Sequence, residues 1–304
     1  MHKAAAEEIT IVMATRNGAA HLPAQLASIA AQSHRNWRLF VSDDGSSDAT
    51  LTLLQDFARN HPVQLIQGPQ QGAAANFLSA LCHPDLPRGP IALADQDDIW
   101  LKGKLARGLR RLHSATGPAL YAAESLLADE AGKPFRRSHS GRAQPSFAAS
   151  LVQNLFAGHT MMFNAATLDL LRHAGAPQGI AFHDWWIYQL SAGAGARLIL
   201  DPLPTALYRQ HSSNALGATG RRQALSRLNR VLTQQWRSEI EAHALALQGQ
   251  SPLLTPQAQG VLEAFLAMPK SGWRRVQSFQ NLGAKRSSPS GQALMLGAAF
   301  AGLL

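Results

Sequence analysis

The chain has 304 residues, 46% of them hydrophobic, one cysteine (Cys82) and a formal net charge of +9. That length and apolar fraction suit one large α/β domain with a smaller appendage, and a single cysteine excludes an internal disulfide framework. Thr205 to Leu304 carry 11 Lys and Arg against 3 Asp and Glu, whereas the first 204 residues carry 17 against 16, so an anionic partner of this charge meets the tail and not the main domain.

The start, Met1 to Glu8, is polar, and the apolar run after it is only strand-length, so no signal peptide is expected. Four apolar strand candidates follow at regular intervals: Ile9–Met13, Trp37–Ser42, Val63–Gln67 and Ile91–Asp95. Helical patterns separate them. Leu22, Leu26 and Ile29 mark the first, Leu51, Leu54 and Ala58 the second, after the cap candidates Ser46-Ser47-Asp48, and Ala73–Leu81 the third. This alternation predicts βαβ units and a mainly parallel sheet flanked by helices. A basic helix is expected over Gly103–His113, then an irregular stretch in which Glu130 to Pro145 reads as a loop. A mixed segment, Asn154–Asn164, a helix starting near Asp184 and two strands, Ala196–Leu200 and Thr205–Gln210, complete this region.

Beyond Gly217 the pattern is helical. Leu225, Leu228, Leu232, Trp236 and Ile240 form one stripe, and Thr255-Pro256 is an N-cap and N1 pair for another helix. The end, Ala293–Leu304, is apolar and follows Lys285-Arg286, which fits either an interfacial anchor on an anionic membrane or a helical cap on the main domain. No run reaches the ~20 apolar residues of a spanning helix. The expected location is the cytoplasm or a membrane face that meets it.

Three polar clusters fall at the C-terminal ends of three strand candidates: Thr15-Arg16-Asn17, Asp43-Asp44-Gly45-Ser46 and Asp95-Gln96-Asp97-Asp98. Open parallel sheets bind ligands outside those ends. Three carboxylates within four positions repel one another unless a cation relieves them, and hard oxygen ligands favour Mg²⁺ or Mn²⁺. No His or Cys adjoins this cluster in sequence, so zinc is not expected.

The ordered set Ala14-Thr15-Arg16-Asn17-Gly18, Val41-Ser42-Asp43-Asp44-Gly45-Ser46-Ser47-Asp48 and Asp95-Gln96-Asp97-Asp98-Ile99-Trp100 resembles the family 2 glycosyltransferases. Gly72 with Asn76-Phe77, Asn154 with Gly158-His159-Thr160-Met161, His183-Asp184-Trp185-Trp186 and Tyr208-Arg209-Gln210-His211 with Asn214 extend it. The resemblance implies a GT-A fold over residues 1–216, with 217–304 as a helical, basic region. It implies donor contacts from Ala14, Thr15, Arg16, Asn17, Asp44, Asn76, Asp95, Gln96 and Asp97, and metal contacts from Asp97 and His211. It further implies Asp184 as catalytic base, with His183, Trp185 and Asp98 toward the acceptor. Arg16 replaces an aromatic that the family usually carries there, and His159 replaces a small residue or Cys.

What the resemblance implies as activity is an inverting transfer of a sugar from a nucleotide diphosphate to a hydroxyl of a saccharide or lipid-linked saccharide. The Asp-Gln-Asp-Asp-Ile-Trp and His-Asp-Trp-Trp forms are similar to rhamnosyltransferase-like members that build bacterial surface polysaccharides. They suggest a dTDP-rhamnose donor, with a UDP-sugar left open. Two other classes compete: a basic nucleic-acid-binding protein, disfavoured because the tail's apolar residues follow core spacing, and a non-catalytic nucleotide-sugar-binding module. A nicotinamide-dependent dehydrogenase is disfavoured because Thr15–Ala20 lacks G-x-G-x-x-G.

Overall fold

The computed structural model describes residues 7–138, 144–210, 229 and 231–304. Strand β1 (Ile9–Thr15), helix α1 (Leu22–Ala30), β2 (Trp37–Asp43), α2 (Thr50–Ala58), β3 (Val63–Gln67), α3 (Ala73–Leu81) and β4 (Ile91–Ala94) alternate as the sequence predicts. β5 (Ile99–Trp100) and α4 (Lys104–Leu112) follow, then β6 (Ala119–Ala128), β7 (Pro134–Arg137), α5 (Phe147–Ser150), β8 (Met162–Phe163), α6 (Ala165–Ala174), α7 (His183–Gly193) and β9 (Arg197–Arg209). Helices α8 (Gln235–Gly249), α9 (Pro256–Leu266), α10 (Gly272–Asn281) and α11 (Pro289–Ala301) close the chain.

Among the described residues these strands form one nine-stranded sheet, ordered β3-β2-β1-β4-β8-β6-β9-β5, with β7 added to β6. β1 pairs in parallel with β2 on one side and β4 on the other, so the chain switches direction across the sheet at β1. That switch opens a crevice at the C-terminal ends of β1 and β4. Ile9, Ile11, Val12 and Met13 of β1 are all fully buried, as expected for a strand covered by helices on both faces.

Three expectations change. β6 was not anticipated: Ala-Leu-Tyr-Ala-Ala-Glu-Ser-Leu-Leu-Ala has helix-forming composition, but pairing with β8 and β9 on its two sides outweighs local propensity. The Glu130–Pro145 stretch contains a strand, β7, paired antiparallel with β6, while residues 139–143 lie outside the described ones. The two late strands are one, β9. Its pairing with β6 jumps from Ala123 opposite Asp201 to Glu124 opposite Pro204. The bulge takes Pro202 and Leu203 out of the ladder, where a missing proline N–H costs no pairing. Asp201 anchors that bulge, accepting from Arg107 Nε at 2.6 Å and Nη2 at 2.8 Å on α4, and from the Leu203 amide at 3.1 Å.

The C-terminal helices close over the same core as α7. Trp185, Trp186, Ile240, Leu247, Leu262, Phe279 and Met295 belong to one buried cluster. Thr255 caps α9 as its sequence predicts, accepting from the Ala258 amide. Of the expected stripe, Trp236 and Ile240 are buried, Leu232 is exposed, and Leu225 and Leu228 lie outside the described residues. The apolar end is not a free anchor: Met295, Ala298, Ala299 and Leu304 are buried in the core. Among the described residues no helix is long and apolar enough to cross a membrane.

Candidate active site

Two loops at the ends of β1 and β2 form one wall of the crevice, and their polar side chains are mostly used to hold them together. Thr15 donates its hydroxyl to Asp43 Oδ1 at 2.8 Å, and Asp43 Oδ2 accepts the amides of Gly45 and Ser46. Asn17, in the left-handed region at φ 47°, accepts the Ser47 amide on Oδ1, while its own amide donates to Ser46 Oγ. Asp44 is buried, and its two carboxylate oxygens accept the amides of Gln70 (2.6 Å) and Gly72 (2.8 Å). Each oxygen keeps a further lone pair for a ligand N–H. Asn76 donates Nδ2 to the Ser42 carbonyl, and its buried Oδ1 has no partner. A Cβ at Gly68 would lie 2.5 Å from that Oδ1, so glycine is required for α3 to close on the β3 loop.

Gln96 forms a two-point clasp on the backbone of Arg16, accepting its amide at 2.9 Å and donating to its carbonyl at 3.0 Å. The acidic loop after β4 is thereby tied to the loop after β1. Arg16 itself is exposed at the mouth of the crevice, and Ala14 packs against the core. The segment after the acidic cluster is pinned to α1 and the turn that follows it: Trp100 donates its amide to Ser28, and Gln32 accepts the Leu105 amide.

Sheet register brings the remaining groups in. Antiparallel pairing of Ala92 with Met162, continued three residues, sets His159 beside Asp95. Ligand atoms of Asp95, Asp98 and His159 all lie within 4.8 Å of one another. Sequence reasoning gave the metal His211 and not His159, because His159 lies 64 positions from Asp95 and arrives only through β8. Likewise Ile99 pairs with Leu207 and Trp100 with Ala206, which brings the end of β9 to the cluster, where the Arg209 backbone amide meets Asp98. His159 stacks on Tyr208 with ring centres 4.6 Å apart. His211 lies outside the described residues.

Lys104, which sequence reasoning did not single out, is fully buried beneath this cluster. Its ammonium donates to the His159 carbonyl and lies 3.9 Å from the centre of the Trp100 ring. Burial pushes it down to about 7, against the opposing pull of Asp98 and Asp95. Burial and the Asp97 and Asp184 charges push Asp95 up to about 7. Asp98, wholly buried, is raised well above the carboxylate range by burial and then by Asp95 and Asp97, against the opposing pull of Lys104 and the Arg209 backbone amide. His159 is held down to about 3 by burial and by Lys104, so its imidazole is neutral. Its Nε2 is buried without a partner. Crowded carboxylates, one of them wholly buried, and a neutral imidazole form a donor set that fits a divalent cation.

Asp184 enters from the other wall, in the first turn of α7. Its Oδ1 accepts the Trp185 amide at 2.7 Å and its Oδ2 the Gly158 amide at 3.0 Å. Two backbone donors and the positive end of the helix hold the carboxylate, and its charge is felt at Asp95. It is not the N-cap, which is Phe182. His183 stacks on Phe77 at 3.9 Å, which covers one ring face. Trp185 does not offer a flat face to an acceptor: it is buried, donates Nε1 to the Ser150 carbonyl and packs on His243 of α8. The pair Trp185-Trp186 is core.

The chain is similar in sequence and fold to known proteins. The family described as "Glycosyl transferase family 2" matches residues 10–165. A dTDP-rhamnosyl transferase, RfbG, of Shigella flexneri is 29% identical over 247 residues, 77% of this chain and 84% of that protein. A UDP-Glc:alpha-D-GlcNAc-diphosphoundecaprenol beta-1,3-glucosyltransferase of Escherichia coli, WfgD, is 33% identical over 97 residues, 32% of this chain and 38% of that protein. Among solved structures, S. aureus TarS 1-349 in complex with UDP-GlcNAc superposes with a TM-score of 0.57 at 13% identity, covering 90% of this chain and 89% of that one. A mannosyltransferase of Pyrobaculum calidifontis in complex with GDP-Man and Mn²⁺ superposes with a TM-score of 0.56 at 19% identity, covering 96% and 80%. The fold is GT-A.

Proposed function

This chain belongs to the family 2 glycosyltransferases, and we propose that it catalyses inverting transfer of a sugar, rhamnose from a dTDP donor, onto a hydroxyl of a saccharide or lipid-linked saccharide in bacterial surface polysaccharide synthesis. The observation that supports this reading is the grouping of Asp95, Asp98 and His159 within 4.8 Å of one another, with the Asp97 and Asp184 charges acting on Asp95. The rhamnosyl assignment rests on likeness to the Shigella protein across most of both chains. A UDP-hexose donor is the second reading, favoured by the shorter, more identical match to the E. coli glucosyltransferase.

In this account residues 1–216 form the catalytic unit, and Thr15, Arg16, Asn17 and Asp44 line the nucleoside pocket. Arg16, exposed at the mouth, offers its guanidinium plane to the base. Gln96 acts on the donor through the Arg16 backbone it clasps. Asp95 faces the donor's ribose or sugar, and Asp97 takes the cation, with His159 and Asp98 beneath it. A divalent ion, Mg²⁺ or Mn²⁺, supplies charge neutralisation for the departing nucleotide diphosphate. Asp184 takes the acceptor's hydroxyl proton as its oxygen attacks the anomeric carbon, while the bond to the diphosphate breaks on the opposite side. The clasp between the two loops and the buried Trp100–Lys104 floor keep these groups in fixed register, which supplies the positional part of catalysis.

The test is a panel of sugar nucleotides with Mn²⁺, reading nucleotide diphosphate release and thermal shift. We expect dTDP-rhamnose to raise the melting temperature and to be turned over in the presence of acceptor. Selective turnover of a UDP-sugar would move the assignment to the second reading, and silence with every donor would remove the enzymatic reading altogether.

A further inference from the structure

We propose that helices α10 and α11 form a docking surface for an anionic lipid bilayer, with Trp273 and Phe300 entering the interface and Lys270 and Arg274 meeting the headgroups. The two helices pack against each other so that the end of α11 meets the start of α10. A Cβ on Gly302 would lie 3.1 Å from Ser271 Cβ and 3.5 Å from the Lys270 carbonyl. Trp273 and Phe300, each two residues from that contact, therefore share one end of the pair. They are among the most exposed large apolar side chains described, at 64% and 56%. Exposed aromatic and basic residues side by side are the composition of an interfacial surface and not of a solvated one.

Charge points the same way. After Glu263 the chain contains no Asp or Glu, while Lys270, Arg274, Arg275, Lys285 and Arg286 all fall in that stretch. Lys270, Arg274 and Lys285 are exposed. Arg237 reaches the same end, donating to the Gly302 carbonyl, and its acidic neighbour Glu241 is already paired with it at 2.8 Å. α11 has no charged residue over its 13 positions, although Ala293, Gly297, Phe300 and Ala301 lie exposed on one face. The opposite face, through Met295, Ala298 and Ala299, is packed in the core, so the surface is rigid and does not need to unfold to bind. A polyanionic, laterally extended partner satisfies both the charges and the aromatics, and a bilayer containing phosphatidylglycerol is the simplest such partner. The proposal is independent of which sugar is transferred.

The experiment is flotation of the full chain with vesicles of phosphatidylcholine alone or with 30 mol% phosphatidylglycerol, at about 50 and 500 mM salt. The protein is expected to float with the anionic vesicles at low salt and to remain below with the neutral ones. Trp273→Ser with Phe300→Ser should abolish flotation, whereas Leu203→Ser, an exposed apolar site on the β9 bulge, should not. Lys270→Ala and Arg274→Ala should each weaken binding about fivefold, the equivalent of ~1 kcal/mol per basic residue at such a surface. Melting temperatures identify any variant that fails through misfolding, in which case the charge variants decide. A wild-type chain that stays below anionic vesicles at low salt overturns the proposal. So does a folded double serine variant that floats like wild type, or light scattering that shows Trp273 and Phe300 closed in a dimer of this chain.

Discussion

Asp184→Asn is expected to lower sugar transfer by about 10²–10⁴-fold, the usual worth of a positioned general base, while donor and cation binding stay near wild type. The carboxylate is held by two backbone amides, from Trp185 and Gly158, so its orientation is set before substrate arrives. Asparagine can accept one of those amides but turns an N–H toward the other, and it cannot take a proton. Some loss of stability is therefore expected, and the melting temperature separates it from the kinetic loss. A purely structural carboxylate predicts the reverse pattern: a lowered melting temperature, with turnover per folded molecule close to normal. Turnover and donor affinity measured on the same preparation distinguish the two.

Asp97→Ala should lower turnover by about 10³-fold or more, matching what EDTA does to the wild-type enzyme, because the diphosphate leaving group then departs without its counter-charge. Mn²⁺ or Mg²⁺ should restore the EDTA-treated wild type and leave the variant inactive. The physical cause is visible around it: burial, Asp97 and Asp184 push Asp95 up, and burial, Asp95 and Asp97 push Asp98 up, so Asp97 contributes to each. The buried Lys104 ammonium relieves only part of that charge, since it is itself pushed down to about 7. Mn²⁺ should therefore raise the melting temperature of wild type and do so much less for Asp97→Ala, a readout that needs no substrate. Full transfer in metal-free buffer would contradict this.

The sequence was most informative where local pattern and global fold agree. β1 to β4 and the helices between them follow from apolar runs and helical spacing, and the three polar strand ends follow from their places in that order. What escaped is what long-range pairing decides. β6 looks helical by composition and is a strand because β8 and β9 flank it. His159 stands out in sequence only as a replacement for a small residue or Cys, and becomes a neighbour of Asp95 only through the β4–β8 register. Lys104 reads as one more cation on a basic helix, yet it is buried under the carboxylates. Conversely, residues read as ligands on motif grounds also carry structural work: Gln96 clasps the Arg16 backbone, Asp44 holds the β3 loop, and Trp185 belongs to the core. A motif locates a residue at the site without separating the contact it makes to substrate from the one it makes to its own chain.

The proposed enzyme joins donor sugar to acceptor hydroxyl in one crevice by a single displacement. The most direct measurement is structural analysis of the product formed from the donor that the panel selects, by mass and by NMR of the new linkage. One added sugar per acceptor is expected, with its anomeric configuration inverted relative to the donor, formed by wild type and largely lost in Asp184→Asn. A retained configuration, or nucleotide diphosphate release that yields only free sugar, would contradict it.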